Sequence, residues 1–218
     1  MKKISIITIN LNNREGLETT IKSVVSQTCF DDIEYIVIDG GSTDGSVDVI
    51  REYDRFIKQW VSERDNGIYN AMNKGLQMAT GEYTIFLNSG DWFHSPDAIE
   101  AMIPLLDKDI VYGDLRIHGE DGWRIKKRYT NKITPDYFTY EAMPHEASFV
   151  KTSLYKSIGF REDYKILSDS IFFHEAINLR GASYKHVKFI VTDFCLGGIS
   201  SNEFLLKEER LRYFGKAI

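Results

Sequence analysis

Residues 83–91 read YTIFLNSGD. Tyr83 to Leu87 is an apolar, strand-like run, and the chain then turns sharply into polar residues. An acidic residue just past the C-terminal end of a buried strand is where open α/β sheets place ligand chemistry. Asp91 holds that position, with Asn88, Ser89 and Gly90 crowding small and oxygen-bearing groups onto the same turn. A carboxylate there can hold a divalent cation while a substrate diphosphate supplies the other oxygens. The plain alternative is a turn acid before a helix at Ser95–Pro96. Ser95 is a good cap for that helix and Pro96 a good first residue, which leaves Asp91 without a structural task.

Working upstream, strand and helix patterns alternate. Ile4 to Ile9 is a β-branched run of the kind buried on both faces. Leu17, Ile21, Val24 and Val25 share one face of a helix between Glu15 and Gln27, capped by Asn13. Tyr35 to Ile38 reads as a strand, GGSTDGS as a turn, and Val47 to Tyr53 as a helix. Gln59 to Ser62 is a short strand. Asn70 to Ala79 reads as a helix with Gly81 as its stop. Four such alternations predict βαβ units, a mostly parallel sheet and helices on both of its faces.

Downstream the pattern is less regular. Asp97 to Leu106 and Asp169 to Leu179 read as helices. Ile110 to Tyr112, Trp123 to Tyr129, Ala147 to Val150 and Lys188 to Thr192 read as strands, with the turn GEDG (119–122) between the first two. One compact domain is expected over 1–218, its N-terminal half a nucleotide-type α/β layer and its C-terminal half the other wall of a cleft.

Composition limits the function classes. The 43% apolar content supports a packed core rather than a disordered chain. A formal net charge of −5 disfavours a nucleic-acid partner. Cys29 and Cys195 lie far apart in no metal-ligand spacing, as expected of reduced, mostly buried thiols in a cytoplasmic protein. The apolar run after the MKK start is too short for a signal peptide, and no window reaches the ~18 apolar residues of a membrane span.

Several further residues could carry chemistry. Asp39 ends a strand before a glycine turn and can accept from a base or ribose, or can simply shape the turn. Asp44 fits a turn acid. The first strand–helix junction, TINLNNREG, lacks GxGxxG, which argues against a dinucleotide-binding domain. Lys74, in mid-helix, reads as a solvated lysine. His145 and Glu146 in MPHEASF, and Asp169 at the start of LSDSIFF, remain ambiguous on spacing alone. Lys126, Lys127, Arg128 and Lys132 form a basic group that suits a solvated strand, an anionic membrane surface or a phosphate-bearing acceptor. Glu203 to Lys216 reads as an amphipathic helix docked on the domain by Phe204, Leu205, Leu211 and Phe214.

Taken in order, ISIITINLNN, VIDGGSTDGS, SERDNGIYNAMNKGLQMATGEYTIFLNSGD, PHEASF and ILSDSIFF resemble the glycosyltransferase family 2 enzymes with a GT-A fold. The resemblance is especially to bacterial members that build capsule, exopolysaccharide or lipopolysaccharide units, and it runs from about Ser5 to about Ser200. It implies an inverting transfer from a nucleoside-diphosphate sugar (UDP or GDP) to a hydroxyl of a glycan or lipid-linked saccharide. Residues 1–95 would be the donor half and 96–218 the acceptor half, with peripheral contact at the inner membrane surface. Thr8 and Asn10 match the strand edge that receives the base, and Asp39 the aspartate that binds base and ribose. Asp65 and Lys74 match positions beside the nucleotide and diphosphate. FLNSGD matches the acidic metal motif with Asn88 and Gly90 in place of two aspartates, leaving Asp91 as the ligand of Mn²⁺ or Mg²⁺. Asp169 matches the general base. His145 and Glu146 match a His-Gln pair, with Glu146 an alternative base or acceptor contact. The two other function classes are a nucleotide-sugar-binding homologue without catalysis and a sugar nucleotidyltransferase. The latter calls for a glycine-rich, Arg/Lys-bearing phosphate loop that NLNNREG does not offer.

Overall fold

A computed structural model describes residues 4–119, 121–197 and 202–215. The MKK start, Glu120 of the GEDG turn, Ser200 and Lys216 lie outside the described residues.

The first half follows the expected alternation. Strands β1 (Ile4–Asn10), β2 (Ile33–Asp39), β3 (Gln59–Ser62) and β4 (Tyr83–Phe86) pair in parallel in the order β3-β2-β1-β4. Between them run α1 (Arg14–Val25), α2 (Ser46–Glu52) and α3 (Ile68–Met78). Asn13 caps α1 by accepting from Gly16 N–H. The two-residue period of the strands feeds two cores. From β1 and β2, Ile4, Ile6, Tyr35 and Val37 join Leu17, Ile21 and Val24 of α1 on one face. Ile7, Ile9, Ile36 and Ile38 join Tyr69, Met72 and Leu76 of α3 on the other. Helix α3 lies so close that a Cβ on Gly75 would sit 2.5 Å from Ile7 Cγ2, so even an alanine there must push the helix off the sheet. Burying each large aliphatic or aromatic side chain contributes roughly 1.5–3 kcal/mol.

Past β4 the sheet is mixed. The chain adds β5 (Trp92–Phe93), α4 (Ala98–Met102), β6 (Ile110–His118), β7 (Arg124–Lys127), α5 (Tyr137–Tyr140), β8 (Ser148–Lys151) and α6 (Thr152–Ile158). It continues through α7 (Ser168–His174), β9 (Tyr184–Cys195) and α8 (Glu203–Phe214). The sheet extends as β4-β8-β6-β9-β5, with β8 antiparallel to both neighbours, β6 and β9 parallel, and β7 hairpinned onto β6.

Several sequence expectations need correction. Strands β6 and β9 outrun the apolar segments Ile110–Tyr112 and Lys188–Thr192 because their polar residues satisfy each other. Buried Asp193 accepts from Arg116, His118 and His94, and buried Asp114 accepts from His186 at 2.8 Å. The expected strand Trp123–Tyr129 shortens to Arg124–Lys127. Ser95 does not cap α4; that position is Asp97, whose carboxylate accepts from Ser95 Oγ at 2.5 Å. Helix α3 ends at Met78, before Gly81. The helix expected to Leu179 changes at Glu175 into a π turn. Cys29 and Cys195 are free but half-buried. Helix α8 docks as expected, with Phe214 of the predicted stripe inward but not the whole stripe. Phe204 and Leu211 are exposed, while Leu206, Tyr213 and Phe214 pack inward and the buried Glu209 anchors it. Among the described residues no helix is long and apolar enough to cross a membrane.

Candidate functional site

The C-terminal ends of β1, β2 and β4 lie side by side and carry Asn10, Asp39 and the turn after Phe86. Asp39 is fully buried. Its carboxylate accepts from Asn10 Nδ2 (2.8 Å), Ser42 Oγ (2.6 Å), Ser62 Oγ (2.6 Å) and the N–H groups of Gly41 and Ser42. Burial pushes its pKa up, but the hydroxyls of Ser42 and Ser62 outweigh that and hold it below the usual value. Asp39 therefore shapes the 40–46 turn from inside. The acceptor left open beside it is Asn10 Oδ1, buried and without a partner among the described residues. Asp44 is the turn acid expected of it, accepting from Ser46 and from Arg14 N–H. Thr8 is buried behind this edge, its hydroxyl 3.0 Å from Tyr35 OH.

Lys74 is not the free solvated lysine its mid-helix position suggests. It pairs with Asp65 at 2.5 Å and Glu63 at 2.8 Å. A Cβ on Gly40 would come within 3.0 Å of Asp65 Oδ2, which puts the Asp65–Lys74 pair against the Asp39 turn. The sequence-matched donor residues are thus gathered at one sheet edge.

The turn after β4 is held from α1. Thr20 Oγ1 donates to Asp91 O at 2.7 Å and accepts from Gly90 N–H at 3.0 Å. Gly90 has φ +106, a conformation that L side chains rarely adopt, so an acid there would be strained. Asp91 does have a structural partner, contrary to the sequence reading. Its Oδ1 accepts from Cys195 N–H at 3.0 Å and ties the turn to the end of β9.

The C-terminal half brings three residues to this turn. His145 lies 3.2 Å (Nδ1) from Asp169 and 3.3 Å (Nε2) from Glu146, with the Asn88 amide 3.2 Å from Nε2. Tyr69 OH donates to the other Asp169 oxygen at 3.0 Å. All three side chains are largely buried. Burial opposes a charged imidazole, yet Glu146 and Asp169 raise the His145 pKa to about 9. Burial pushes Asp169 up, but the His145 hydrogen bond and charge, with help from Ser170 N–H and Tyr69, hold it below the usual value. Burial, then the charge of Glu146, drives Asp91 well above the carboxylate range. Burial raises Glu146 too, against the pull of His145.

These residues fit a divalent cation that takes only part of its shell from protein. Among the described residues no three His, Cys, Asp or Glu side chains form a metal cage. What the site offers is hard oxygen: the buried Asp91 carboxylate and Asn88 Oδ1, which is buried without a partner. The charge of Glu146 raises the proton affinity of Asp91, and a cation beside Asp91 would offset that repulsion.

Sequence reasoning missed two residues that shape the Asp169 side of the site. Glu209 of α8 accepts from the N–H groups of Lys165, Ile166 and Leu167, fixing the segment that leads into Asp169. Next to it, Arg210 has a buried Nε without a partner among the described residues and lies within the field of Glu141 and Asp169. The only signal in sequence is an acid and a base on an otherwise apolar helix face, which is too common to single out.

Comparison with known proteins gives the family and the fold. Residues 5–180 match the model of the family "Glycosyl transferase family 2". An uncharacterized glycosyltransferase of Mycobacterium tuberculosis is 34% identical over 182 residues, covering 78% of this chain and 66% of that protein. A PGL/p-HBAD biosynthesis glycosyltransferase of Mycobacterium bovis is 27% identical over 215 residues, covering 94% of this chain and 81% of that one. Among solved structures, Staphylococcus aureus TarS 1-349 in complex with UDP-GlcNAc superposes with TM-score 0.73 at 19% identity, over 92% of this chain and 61% of that one. The mannosyltransferase PcManGT from Pyrobaculum calidifontis, in complex with GDP-Man and Mn²⁺, gives TM-score 0.72 at 17% identity, over 99% of this chain and 64% of that one. The chain therefore spans just under two thirds of the length of each of these two structures. At such identity they show the fold, the GT-A arrangement expected from the sequence. With most of its length matched by the family and a sheet edge built as above, the chain belongs to glycosyl transferase family 2.

Proposed function

We propose that this protein is an inverting glycosyltransferase that moves a sugar from a UDP- or GDP-linked donor to a hydroxyl of a glycan or lipid-linked saccharide, in the building of a surface glycan. The observation that carries the reading is the pairing of buried Asp169 with His145 on one side and the Asp91–Asn88 turn on the other. Residues 1–95 hold the donor and 96–218 the acceptor. Asn10 Oδ1 and the Asp39 turn meet the base and ribose, and the Asp65–Lys74 pair lies by the diphosphate. Solved relatives of this fold carry UDP-GlcNAc, UDP and GDP-Man with Mn²⁺, which supports a nucleoside-diphosphate donor here.

The chemistry is an in-line displacement at the anomeric carbon. Asp169, kept ionised by His145 and Tyr69, takes the proton from the attacking hydroxyl. His145 fixes the carboxylate's orientation and, lying between Asp169 and Glu146, offsets the charge of both. Asp91 and Asn88 would hold Mn²⁺ or Mg²⁺, which when bound would offset charge building on the leaving diphosphate. Attack from the face opposite the diphosphate inverts the configuration.

Calorimetry with UDP and GDP, with and without Mn²⁺, followed by a screen of nucleotide sugars for release of nucleoside diphosphate, tests the reading. Expected are binding strengthened by Mn²⁺ and turnover of one sugar nucleotide. Binding without turnover of any donor would point to the non-catalytic homologue. Release of pyrophosphate instead would point to the nucleotidyltransferase.

The acid limb of the pH–rate profile gives a second check. With Mn²⁺ saturating, so that Asp91 is kept deprotonated, the lowering of the Asp169 pKa by His145 should keep the native kcat/KM flat to below the usual aspartate value of about 3.9. His145→Gln removes the main lowering partner, leaving Ser170 N–H and Tyr69 against burial, so its acid limb should move to higher pH. An unmoved limb would mean that Asp169 is not the titrating base.

A further inference from the structure

Helix α8 carries one cation that the fold leaves unused. Arg212 donates to Asp163 O at 2.9 Å and pairs with the Asp163 carboxylate. Arg161, from the loop before α7, shares that carboxylate at 3.4 Å. Arg210 is half-buried and forms no hydrogen bond or ion pair among the described residues. Its Nε is buried and has no acceptor among them. A guanidinium does not shed its charge, and a buried donor without an acceptor is costly.

The residues on either side of Arg210 fix its place. Glu209 ties α8 to the N–H groups of Lys165, Ile166 and Leu167, and Tyr213 OH lies 3.0 Å from His174 Nδ1 of α7. The charges that reach Arg210 are those of Glu141, at the end of α5, and Asp169. Those that reach Asp91 belong to Glu146 and His145 instead. Arg210 is therefore on the Asp169 side of the site, from which the acceptor hydroxyl attacks, and not on the Asp91 side by the leaving diphosphate. Lys127 adds a second cation here. It lies 3.7 Å from Glu141, and its charge acts on Glu146.

An unused guanidinium on this side is fitted to a ligand that brings its own negative charge. A neutral sugar hydroxyl can take one of its hydrogen bonds, whereas a carboxylate or phosphate matches the whole fork and balances the charge. Without Arg210 and Lys127, the carboxylates of Asp169, Glu146 and Glu141 would repel such a group.

We propose that Arg210 is a specificity-determining residue that selects an acceptor bearing an anionic oxygen group, a carboxylate or a phosphate, beside its reacting hydroxyl. That the ligand is an acceptor rests on the transferase reading, whereas binding of the anion is measured without turnover, so the two fail separately.

The test is calorimetry on the intact chain, free and saturated with UDP and Mn²⁺, the nucleotide keeping small anions off the diphosphate site. The probes are methyl glucuronide against methyl glucoside, and glycerol phosphate against glycerol. One anionic probe should bind about 10-fold or more tighter than its neutral partner, and which of the two does so distinguishes a carboxylate-bearing from a phosphate-bearing acceptor. Arg210→Gln should remove that preference while UDP affinity and the melting temperature stay native. Arg210→Lys keeps the charge and loses the fork, so it should keep part of the preference. Lys207→Gln takes the same charge from an exposed position of α8 and should leave the preference unchanged. The proposal is overturned if neither anionic probe outbinds its neutral partner, or if Arg210→Gln binds them as the native chain does. A fall in UDP affinity in Arg210→Gln with the anion preference intact would also overturn it, and would assign the guanidinium to the donor diphosphate.

Discussion

Asp169→Asn is expected to lower sugar transfer by about 10²–10⁴-fold, the range of a lost general base, with little change in affinity for the nucleotide. The substitution is nearly isosteric. The asparagine amide oxygen can still accept from Tyr69 OH, so the buried start of α7 keeps its packing. What disappears is the charge that pairs with His145 at 3.2 Å and the basicity that accepts the acceptor's proton. Glu146 is the rival, 3.3 Å from the other nitrogen of the same imidazole. The environments differ in kind. Asp169 is held below the usual carboxylate range, while burial raises Glu146. Asp169 is therefore the carboxylate more firmly held in its ionised form. Glu146→Gln should cost far less in rate. If Asp169→Asn retained full transfer while Glu146→Gln abolished it, the roles would be reversed.

Asp91→Asn should reduce transfer by about 10²-fold or more and remove the gain in nucleotide affinity that Mn²⁺ gives. The asparagine oxygen can still accept from Cys195 N–H, so the turn stays tied to β9. Asp91→Ala separates the two roles of this carboxylate. It leaves the Cys195 N–H without its acceptor, which costs about 1–3 kcal/mol, so this variant should also melt earlier. Calorimetry with UDP and Mn²⁺, alongside melting curves, distinguishes the variants. Equal Mn²⁺ dependence in native and Asp91→Asn protein would remove Asp91 from the metal site.

The parallel half of the fold was legible because its signals are local and agree with one another. Ile4 to Ile9, Tyr35 to Ile38 and Tyr83 to Leu87 are buried on both faces, and Asn13 or a glycine turn marks the helix boundaries between them. The mixed half was not, because its strands are stabilised by partners distant in sequence. Nothing near Asp193 announces that Arg116, His118 and His94 will neutralise it, so a strand bearing these residues reads as a loop. The short β5 forms because Trp92 and Phe93 pair with Asp193 and Thr192 on β9, again at long range.

The site divides along the same line. The position of Asp91 at a strand end and of Asp39 before its turn could be read directly. That Asp39 is spent on its own turn could not, since Ser62 and Asn10 reach it from neighbouring strands. Lys74 looked solvated because Glu63 and Asp65 face it only once β3 and α3 are folded together. His145, Glu146 and Asp169 looked ordinary one by one. Family resemblance named them, and the fold joins them across a separation that spacing cannot bridge.

The most direct test of the account follows nucleoside-diphosphate release and product formation from one accepted donor in parallel for native, Asp169→Asn and Glu146→Gln proteins at equal, nucleotide-saturated concentration. The account predicts native turnover with an inverted product, near-complete loss for Asp169→Asn with nucleotide binding intact, and substantial activity for Glu146→Gln. Undiminished turnover by Asp169→Asn, or a product that retains the donor's anomeric configuration, would contradict it.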